Sequence, residues 1–423
     1  MKVLVIGSGG REHAILWALN KSPLLSEMYI LPGRYAMKNL ATIVDIKIDD
    51  TVNIIQFCKK KNIELVIIGS EKLIIDGLAD VLVEIGIHVF GPDRDSAMLE
   101  KSKSFTKKLC TQYGIPTADY KCFIDAKEAQ NFIYSTKTHF PLVVKANGLA
   151  RGKGVIICQT KDQACAAVDA ILVEKKFGNV NKKIIIEEFL SGEEVSFFVL
   201  VDGLKIVSFG CAKDYKRVNM NFDSQNTGGM GSYSSPDLIN QALEQEILER
   251  IIHPTVHALN NLGITYRGAL FAGLMICHDG PKLLEYNVRF GDPEIQSILP
   301  RLSPNCDLLQ LILSVAQGNL NISKIEFNNR SIVCVVVASK GYPSNYYKGE
   351  MIQGLNEISR LPGILVFHAG TQLDQYGNWI SDGGRVLNIV ADGETKEEAK
   401  SKVYSALHYL KWPGGFFRYD IGS

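Results

Sequence analysis

The feature that most restricts the fold is the alternation of short apolar runs with helical patterns over the first 100 residues. Strand candidates occupy 2–7, 28–31, 42–48, 64–69 and 87–90. Helix candidates lie among them at 10–20, 51–61 and 73–86. This alternation predicts an open, mostly parallel α/β sheet. A further helix at 95–113 leads through Gly114-Ile-Pro116 into a region with a different pattern.

From about residue 115 to 310 the apolar runs are longer and are joined by glycine turns. The strand candidates here are 141–146, 154–158, 184–188, 194–201, 205–211, 269–277 and 282–288. Helix candidates at about 161–174 and 238–262 interrupt them, so this region is interpreted as an α+β unit. A polar, Asn-rich stretch at 318–330 is typical of a linker. The elements predicted after it are strands near 331–338, 364–368 and 385–390, and a closing helix from Thr395 to Leu410.

Composition excludes several classes of function. The formal net charge is only +1, so the overall charge does not favour binding to nucleic acid or to an anionic membrane. No apolar run approaches the roughly 18 residues of a membrane span. The chain opens directly on a strand pattern, so we expect no signal peptide. The nine cysteines are scattered without a C-x-x-C pair, which disfavours a disulfide framework or a zinc site and favours the cytoplasm.

The first candidate site is the glycine loop Gly7-Ser-Gly-Gly-Arg-Glu-His13 between a strand and a helix. Backbone N–H groups of such a loop can approach an anion at the positive end of the helix. The dinucleotide-binding fingerprint fails, because Glu12 takes the place of the third glycine and Pro32-Gly33 follows the next strand. The loop therefore predicts a site for a single phosphate beside Arg11, and a plain tight turn is the alternative.

The second candidate runs from Lys145 to Gly154 between two apolar runs, so it is a glycine-rich hairpin and not a P-loop. Its glycines would let it close over a triphosphate, and Lys145 could neutralise phosphate oxygens. An exposed basic turn is the alternative.

The third candidate is the acidic turn around Glu187 and Leu190, whose backbone could bind an adenine edge, while Glu194 could accept hydrogen bonds from ribose hydroxyls. A solvated acidic hairpin would look the same.

The fourth candidate is the polar strand that contains Glu285, Asn287 and Arg289. The two-residue period of a strand places these side chains on one face. A carboxylate and an amide oxygen, completed by phosphate oxygens, are ligands that suit Mg²⁺. A half-exposed polar strand is the alternative. The fifth candidate is the glycine loop 226–231, downstream of the charged segment 213–217, which could close over a substrate or be a surface Ω-loop.

Taken together, these motifs resemble the ATP-grasp superfamily, and specifically the phosphoribosylamine–glycine ligase (glycinamide ribonucleotide synthetase) family. The segments that carry the resemblance are VLVIGSGGREHA at 3–14, KSFTK at 103–107, GLARGKGVII at 148–157, IIIEEFLSGEEVSF at 184–197, NTGGMGSYS at 226–234, AGLMI at 272–276, LEYNVRFGDPE at 284–294, GYP at 341–343, FHAGT at 367–371 and DGGRVLNI at 382–389. They cover essentially the whole chain in the order of that family.

The resemblance implies a multidomain α/β and α+β protein. Its units would be an N-terminal open parallel α/β (pre-ATP-grasp) domain at 1–103, an ATP-grasp domain at 104–320 with a mobile lid at about 120–190, and a small C-terminal α+β domain at 325–423. It implies a cytoplasmic enzyme, monomeric or weakly dimeric, that needs Mg²⁺ or Mn²⁺. The implied reaction forms glycyl phosphate from glycine and ATP, and the amine of 5-phosphoribosylamine then attacks it in purine biosynthesis.

The resemblance also assigns residues, position by position. Those implied to bind ATP are Lys103, Lys145, Gly152, Lys153, Gly154, Glu187, Glu188, Phe189, Leu190 and Glu194. Those implied to bind glycine and the sugar phosphate are Gly9, Gly10, Arg11, Asp214, Lys216, Arg217, Thr227, Gly228, Gly229, Met230, Arg289 and Asp292. Glu285 and Asn287 are the implied metal ligands, and Lys145, Arg289 and Asp292 are the implied catalytic residues.

Three loops depart from the family pattern. Arg34 and Tyr35 follow Pro32-Gly33 where the family usually has Asn-Ala, and Gly69-Ser-Glu-Lys-Leu-Ile74 replaces Gly-Pro-Glu-Ala-Pro-Leu. Asn147 and Arg151 replace Asp and Ala in the second glycine loop. Arg34 and Lys72 could suit a phosphorylated sugar. The rival interpretations are another ATP-grasp enzyme, such as a biotin carboxylase-like protein, and a non-catalytic nucleotide-binding protein.

Overall fold

A computed structural model describes residues 1–135, 139–149, 154–176, 178, 182–220 and 224–423. The N-terminal part forms one parallel sheet with strand order β3-β2-β1-β4-β5, which confirms the predicted open α/β architecture. Its elements are β1 Lys2–Gly7, α1 Gly10–Leu19, β2 Glu27–Pro32, β3 Thr42–Ile43, α2 Thr51–Lys61, β4 Leu65–Ile68, α3 Glu71–Asp76, α4 Leu78–Glu84 and β5 His88–Phe90.

Two predicted helices are each divided in the structure. The helix predicted at 73–86 is α3 and α4, because Gly77 takes the left-handed conformation (φ 85°) that ends α3. The helix predicted at 95–113 is α5 Met98–Lys101 and α6 Lys103–Tyr113. Ser102 between them is extended, and its hydroxyl caps α6 by accepting from the Phe105 backbone N–H. The strand predicted at 42–48 pairs over β3 only.

A separate antiparallel sheet, with strand order β6-β9-β7-β8, occupies the region predicted to be the lid. Its elements are β6 Tyr120–Phe123, α7 Ala126–Tyr134, β7 Leu142–Ala146, β8 Val155–Cys158, α8 Lys161–Leu172 and β9 Ile184–Glu188. It has its own apolar core, in which Val144 and Ile186 of the sheet pack with Val168 of α8. Such a self-contained core lets the lid sheet be stable as a unit.

The remaining elements build one long antiparallel sheet with the order β14-β13-β10-β11-β12-β15-β19-β16. Its first part consists of β10 Glu193–Asp202, β11 Lys205–Asp214, β12 Gly231–Ser234, α9 Gln241–Ile247, α10 His253–Asn261, β13 Arg267–Cys277, β14 Gly280–Asn287, α11 Glu294–Ile298 and α12 Leu308–Ala316. A π-helical turn at Leu248–Ile252 joins α9 and α10 into the helix predicted at 238–262.

The C-terminal part continues this sheet, because β12 pairs with β15. Its elements are β15 Ser331–Ser339, α13 Leu355–Ile358, β16 Ile364–His368, β17 Thr371–Leu373, β18 Trp379–Ser381, β19 Arg385–Gly393, α14 Lys396–Leu407 and β20 Gly415–Phe416. The loops of the C-terminal part are therefore held rigidly next to those of the central part. Among the residues described, no helix is long and apolar enough to cross a bilayer.

A column of aromatic rings joins the N-terminal sheet to the central sheet. Phe290 stacks on Phe90 of β5 at 5.6 Å between ring centroids and packs against Phe209 of β11 at 5.2 Å. Phe290 lies between Arg289 and Gly291, so this packing also fixes the backbone of the fourth sequence motif.

We expect Phe290→Ala to lower the free energy of unfolding by about 3–5 kcal/mol, the usual cost of a cavity left by a buried phenyl ring. Urea denaturation followed by fluorescence measures the change. Tyr376→Ala, at an aromatic side chain that is 80% exposed, is the matched control and should shift the midpoint little. Equal midpoints for the two variants would contradict the structural role of the column.

Candidate active site

All five sequence motifs contribute to one cavity of about 740 Å³. The predicted site residues that line it are Arg11, Lys145, Glu187, Glu188, Phe189, Leu190, Glu194, Asp214, Lys216, Arg217, Thr227, Gly228, Glu285, Asn287, Arg289 and Asp292. Those predicted but not in the lining are Gly9, Gly10, Lys103, Gly154, Gly229 and Met230. Gly152 and Lys153 lie outside the described residues, as does Arg151.

Some of the residues behind the lining still contact it. Lys103 Nζ lies 3.5 Å from Glu285 Oε2. Gly229 packs so closely that a Cβ there would lie 2.7 Å from Asp214 Oδ1, so a larger residue would displace the carboxylate. Met230 is completely buried, which gives its side chain a packing role and no direct access to a substrate.

The lid end of the cavity is built around a buried ion pair. Lys145 of β7 and Glu187 of β9 are both buried, and Lys145 Nζ lies 2.8 Å from Glu187 Oε2. Lys107 of α6 approaches the same oxygen at 3.3 Å. Glu187 Oε1 is buried without a hydrogen-bond partner among the described residues. The sequence interpretation used the backbone of Glu187, whereas the structure shows that its side chain holds Lys145 at the cavity wall.

The same end has apolar walls. They are formed by Ala118, Val143, Val155, Ile157, Phe189, Leu190, Phe271, Met275 and Leu284. Apolar walls from two facing sheets, with charged groups at one end, suit a flat aromatic ring that carries a polar chain.

The start of α6 is tied to the loop after β7. Asn147 Oδ1 accepts a hydrogen bond from Ser104 N at 2.8 Å, and Asn147 O accepts from Lys103 N at 3.0 Å. Gly154 O accepts from Ala146 N at 2.8 Å, which closes the base of the glycine hairpin. The Asn147 side chain thus accepts a hydrogen bond at the start of α6, and its backbone carbonyl oxygen holds Lys103 beside the cavity.

A second ion pair links Glu194 of β10 to Lys216, which follows the end of β11. Lys216 Nζ bonds to Glu194 Oε1. Burial alone would lower the pKa of Lys216, but the carboxylates of Glu194 and Glu285 raise it above its usual value. Lys216 is therefore a fixed positive charge at neutral pH, and it shares Glu194 with any ribose hydroxyl that binds there.

Glu285, Asn287 and Arg289 line the cavity together, which agrees with the strand-period argument. Burial opposes ionisation of Glu285, yet Lys103 and Lys216 lower its pKa to about 2. The Asn287 side-chain oxygen accepts only a long hydrogen bond of 3.4 Å from Arg289 Nη2. An ionised carboxylate beside a weakly engaged amide oxygen fits a hard cation such as Mg²⁺, whose remaining ligands would be phosphate and water oxygens.

Arg289 is held by two carboxylates that the sequence interpretation did not assign. Its Nη2 lies 3.0 Å from Glu100 Oε1, and its Nε lies 3.4 Å from Glu71 Oε2. Glu100 is fixed in turn, because its Oε2 accepts a hydrogen bond of 2.8 Å from Val288 N. Glu71 was recognisable, since the altered segment Gly69–Ile74 retains it together with Gly69.

The N-terminal glycine loop is folded back on itself. Gly9 N donates to Glu12 Oε2 at 2.7 Å, and Arg11 Nε lies 2.6 Å from Glu12 Oε1. Arg11 Nη1 also donates to Phe290 O at 3.1 Å. Glu12, which breaks the dinucleotide fingerprint, thus accepts the hydrogen bond of the Gly9 amide, which was predicted to face a phosphate. Of this loop, Arg11 alone reaches the cavity, and Gly10 packs against Asn388.

The C-terminal part contributes cavity residues that sequence reasoning missed. They are Tyr342, Pro343, Tyr346, Arg385 and Arg418. Asp292 is bound between Gln296 Nε2 at 2.8 Å and Arg385 Nη2 at 3.4 Å. Burial opposes ionisation of Asp292, but Arg385 and Arg11 lower its pKa. Arg385 belongs to the family-like segment DGGRVLNI, so the sequence indicated that this residue could matter. The sequence did not indicate which residues Arg385 contacts.

Two carboxylates, the half-buried Asp214 and the buried Glu294, lie at the wall between these groups. Burial and the negative charge of Glu294 raise the pKa of Asp214 well above its usual range. Burial also raises the pKa of Glu294, whose Oε1 accepts from Ser196 Oγ at 3.3 Å. Asp214 Oδ1 is buried without a hydrogen-bond partner among the described residues. This pair favours either a bound proton or a cationic group from a substrate.

Arg34 and Lys72, two of the extra cations of the altered loops, do not line the cavity. Arg34 Nη1 pairs with Asp382 Oδ2 at 2.5 Å, and Lys348 Nζ lies 3.1 Å from the other oxygen of that carboxylate. Lys72 pairs with Asp76 on the surface of α3. The expectation that Arg34 and Lys72 suit a sugar phosphate is not supported in this arrangement, because both have carboxylate partners away from the lining.

A buried pair of histidines joins α1 to β16. His13 Nδ1 accepts from His368 N at 3.0 Å, and the two rings stack with centroids 5.7 Å apart. Burial lowers the pKa of His13 to about 4 and that of His368 to about 3. Both rings are therefore neutral in the folded protein.

We expect the protein to lose stability as the pH falls below about 6.5, because the unfolded chain then takes up protons that the folded chain excludes. Between pH 7 and pH 5 the loss is about 2 kcal/mol for each histidine. Urea midpoints at the two pH values measure it. His368→Gln should flatten the dependence, and the exposed His278→Gln should not. Parallel curves for both variants would refute the assignment.

Comparison with known proteins identifies the family. Models of phosphoribosylglycinamide synthetase match in three consecutive parts: the N domain at 1–100, the ATP-grasp (A) domain at 101–295 and the C domain at 332–423. Phosphoribosylamine–glycine ligase of Brucella melitensis is 44% identical over 100% of this chain and 97% of that protein. The chloroplastic enzyme of Arabidopsis thaliana is 46% identical over 97% of this chain and 78% of that protein.

Solved structures agree. The crystal structure of phosphoribosylamine–glycine ligase from Thermotoga maritima has a TM-score of 0.85 at 33% identity and covers 100% of both chains. Biotin carboxylase from Campylobacter jejuni has a TM-score of 0.73 at 14% identity, covering 98% of this chain and 92% of that one, which shows a shared fold alone. The chain therefore belongs to the phosphoribosylglycinamide synthetase family, whose central domain is an ATP-grasp domain.

Proposed function

We propose that this chain is an ADP-forming ligase that joins glycine to 5-phosphoribosylamine at the expense of ATP. The observation that carries the proposal is that two sets of residues line one cavity; we call their parts of it the lid half and the acceptor half. The lid half has apolar walls and the cations Lys145 and Lys216, whereas the other half holds Arg289 and Asp292. Glu285 and Asn287 line the same cavity and would hold the metal, which would supply charge neutralisation there.

The nucleotide would occupy the lid half. Its adenine fits the apolar walls beside Phe189 and Leu190, and its ribose fits beside Glu194. Lys145, Lys216 and Lys103 would face the phosphates, because these three cations surround Glu285 and Glu187. Several fixed cations around a triphosphate are what phosphoryl transfer requires, since the reaction depends on positioning and on charge neutralisation.

Mg²⁺ or Mn²⁺ would be held by Glu285 and Asn287 together with phosphate oxygens. Phosphate and water oxygens would complete the coordination, because Mg²⁺ usually keeps several waters and binds through one or two protein ligands plus substrate phosphates. A bound divalent cation would neutralise charge on the transferring phosphate. The ionised state of Glu285 at every pH above about 2 keeps its carboxylate available for that role.

The chemistry needs no protein nucleophile. A carboxylate oxygen of glycine attacks the γ-phosphorus of ATP, the bond to the β,γ-bridging oxygen breaks, and ADP leaves. The amine of phosphoribosylamine then attacks the acyl carbon of glycyl phosphate, inorganic phosphate leaves, and the amine loses a proton. Exclusion of water by the lid would protect the acyl phosphate between the two steps.

We assign the acceptor substrates by charge. The guanidinium of Arg289 suits the carboxylate of glycine, and the carboxylates Asp214 and Glu294 suit its ammonium group. Arg11 is the cation available to the sugar phosphate at the N-terminal loop. A phosphate could use the Gly9 amide as well only if it displaced Glu12, so this part of the assignment requires a local rearrangement.

Two other interpretations are weaker. A biotin carboxylase-like activity rests on similarity that shows the fold alone. A non-catalytic binding protein would have no reason to keep Glu285, Asn287, Arg289 and Lys145 around one cavity.

The nine cysteines are free thiols, which fits a reducing cytoplasm. For the oligomeric state we propose a monomer or a weak homodimer.

Release of ADP by the purified protein tests the proposal. The assay contains Mg-ATP, glycine and phosphoribosylamine formed in place, and each component is omitted in turn. We expect full turnover only when all are present, with alanine unable to replace glycine. Turnover that is independent of phosphoribosylamine, or turnover with bicarbonate in place of glycine, would reject it.

A further inference from the structure

Arg385, the first residue of β19, holds together two loops of the central part. Its Nη1 donates to the carbonyl oxygens of Gly228 and Asp292, the latter at 2.6 Å, and lies 3.4 Å from Gly229 O. Its Nη2 lies 3.4 Å from Asp292 Oδ2. One guanidinium thus binds both the glycine loop 226–231 and the loop that begins after β14.

These contacts require a guanidinium group, and the space around that group is small. A Cβ at Gly228 would lie 3.1 to 3.3 Å from three atoms of the Arg385 guanidinium, tighter than ordinary contact. A lysine offers one point charge and lacks the planar fork that reaches several acceptors at fixed angles. Without the guanidinium, the carbonyl oxygens of Gly228 and Asp292 would lose the hydrogen bonds that it donates. The half-buried Asp292 carboxylate would keep Gln296 as a partner but lose its ion pair, which is costly.

A second contact from the C-terminal part supports the same loop. Tyr342 OH accepts a hydrogen bond of 3.1 Å from Gly228 N. Gly384 permits this, because a Cβ there would lie 2.4 Å from Tyr342 Cδ2. The segment Asp382-Gly-Gly-Arg385 therefore presents both Arg385 and the tyrosine to one glycine of the loop 226–231.

The two loops line the part of the cavity that is proposed to bind glycine and the amine, and not the part that is proposed to bind the nucleotide. Thr227 and Gly228 line the cavity on one loop, and Asp292 lines it on the other. Lys145, at the nucleotide end, is held by Glu187 instead.

We propose that Arg385 is a positioning residue through which the C-terminal part holds the loops 226–231 and 288–293 in the arrangement that the glycine and amine substrates require. The kinetic part of this proposal rests on the proposed function. Its structural part does not, because the order of the loop 226–231 can be measured without substrate.

The variants Arg385→Lys and Arg385→Ala test the proposal, with the exposed Arg360→Ala as control. We expect kcat to fall about 10- to 100-fold in Arg385→Lys and further in Arg385→Ala, as for lost hydrogen bonds to a charged group. The affinity for ATP, measured by calorimetry, should stay within about threefold of wild type. Guanidinium ion should restore activity to Arg385→Ala, and methylammonium should not, because only the former has the planar fork.

Amide hydrogen exchange supplies the readout that is independent of function. In Arg385→Ala, exchange of the peptide that contains residues 226–231 should be at least about tenfold faster, while that of β9 in the lid is unchanged. Unchanged exchange in 226–231 would overturn the proposal even if the protein had another activity. Wild-type protein without turnover would reject the proposed function alone. A rise only in the KM for phosphoribosylamine, with normal kcat, would mean that Arg385 binds the substrate directly, and would also overturn the proposal.

Discussion

Glu285→Ala should abolish ADP formation, with a loss of about 1,000-fold or more in kcat, while the protein remains folded. The change removes one of the two protein oxygens proposed to hold the metal, and it leaves Lys103 and Lys216 without the carboxylate that they surround. Loss of metal-assisted charge neutralisation accounts for several kcal/mol of the barrier, which corresponds to this fall in rate.

Initial rates at saturating Mg²⁺ measure the effect, and circular dichroism verifies the fold. The exposed Glu357→Ala is the matched control and should keep wild-type activity. Because Glu285 is ionised above about pH 2, the wild-type rate should show no titration that belongs to this carboxylate in the neutral range. Persistent activity of Glu285→Ala at saturating Mg²⁺ would show that the metal site is wrong.

Lys145→Met should lower kcat by about 100- to 1,000-fold, the effect of removing one fixed donor at a reacting charge. It also leaves the Glu187 carboxylate buried with Lys107 as its remaining cation, so some stability is lost as well. Steady-state kinetics and thermal unfolding separate the two effects.

A triple variant distinguishes the catalytic role of Lys145 from its structural role. Adding both Glu187→Gln and Lys107→Met to Lys145→Met removes the whole buried charge cluster, so we expect stability to recover while activity stays low. Recovery of activity together with stability would mean that Lys145 supports the fold only. The two outcomes differ in one measurement on the same pair of proteins.

The sequence predicted the parts of the site that depend on local periodicity. Glu285 and Asn287 share a face because they lie two residues apart in β14, and Arg289, which follows the end of β14, lines the same cavity. The parallel sheet at the N-terminus followed from the alternation of strands and helices. Family membership followed from the order of the motifs along the chain, which the domain matches confirm.

Contacts between distant segments were not predictable in this way. The pair Lys145–Glu187 depends on two lid strands lying side by side, and Arg385 reaches Gly228 across 157 positions of sequence. The sheet is continuous only because of β12, a four-residue strand that begins at a glycine and gives almost no periodic signal. Glu12 was correctly seen to break a fingerprint, but its hydrogen bond to Gly9 N requires the folded loop.

The predicted boundaries of two helices were wrong for a related reason. Apolar periodicity continued through Gly77 and Ser102, so each pair of short helices was predicted as one. In both places the backbone leaves the helical conformation and a side-chain or backbone cap stabilises the break. The division after Ser102 has a functional consequence, because it places Lys103 at the start of α6, next to Glu285.

The central claim, that glycine is activated as an acyl phosphate, is tested most directly by following the carboxylate oxygens. The enzyme is incubated with ATP, phosphoribosylamine and glycine labelled with ¹⁸O in both carboxylate oxygens, and the released phosphate is analysed by mass spectrometry. Each phosphate formed should carry one ¹⁸O atom, because the acyl–oxygen bond breaks when the amine attacks. Phosphate without the label, at a yield of product equal to that of ADP, would contradict the account.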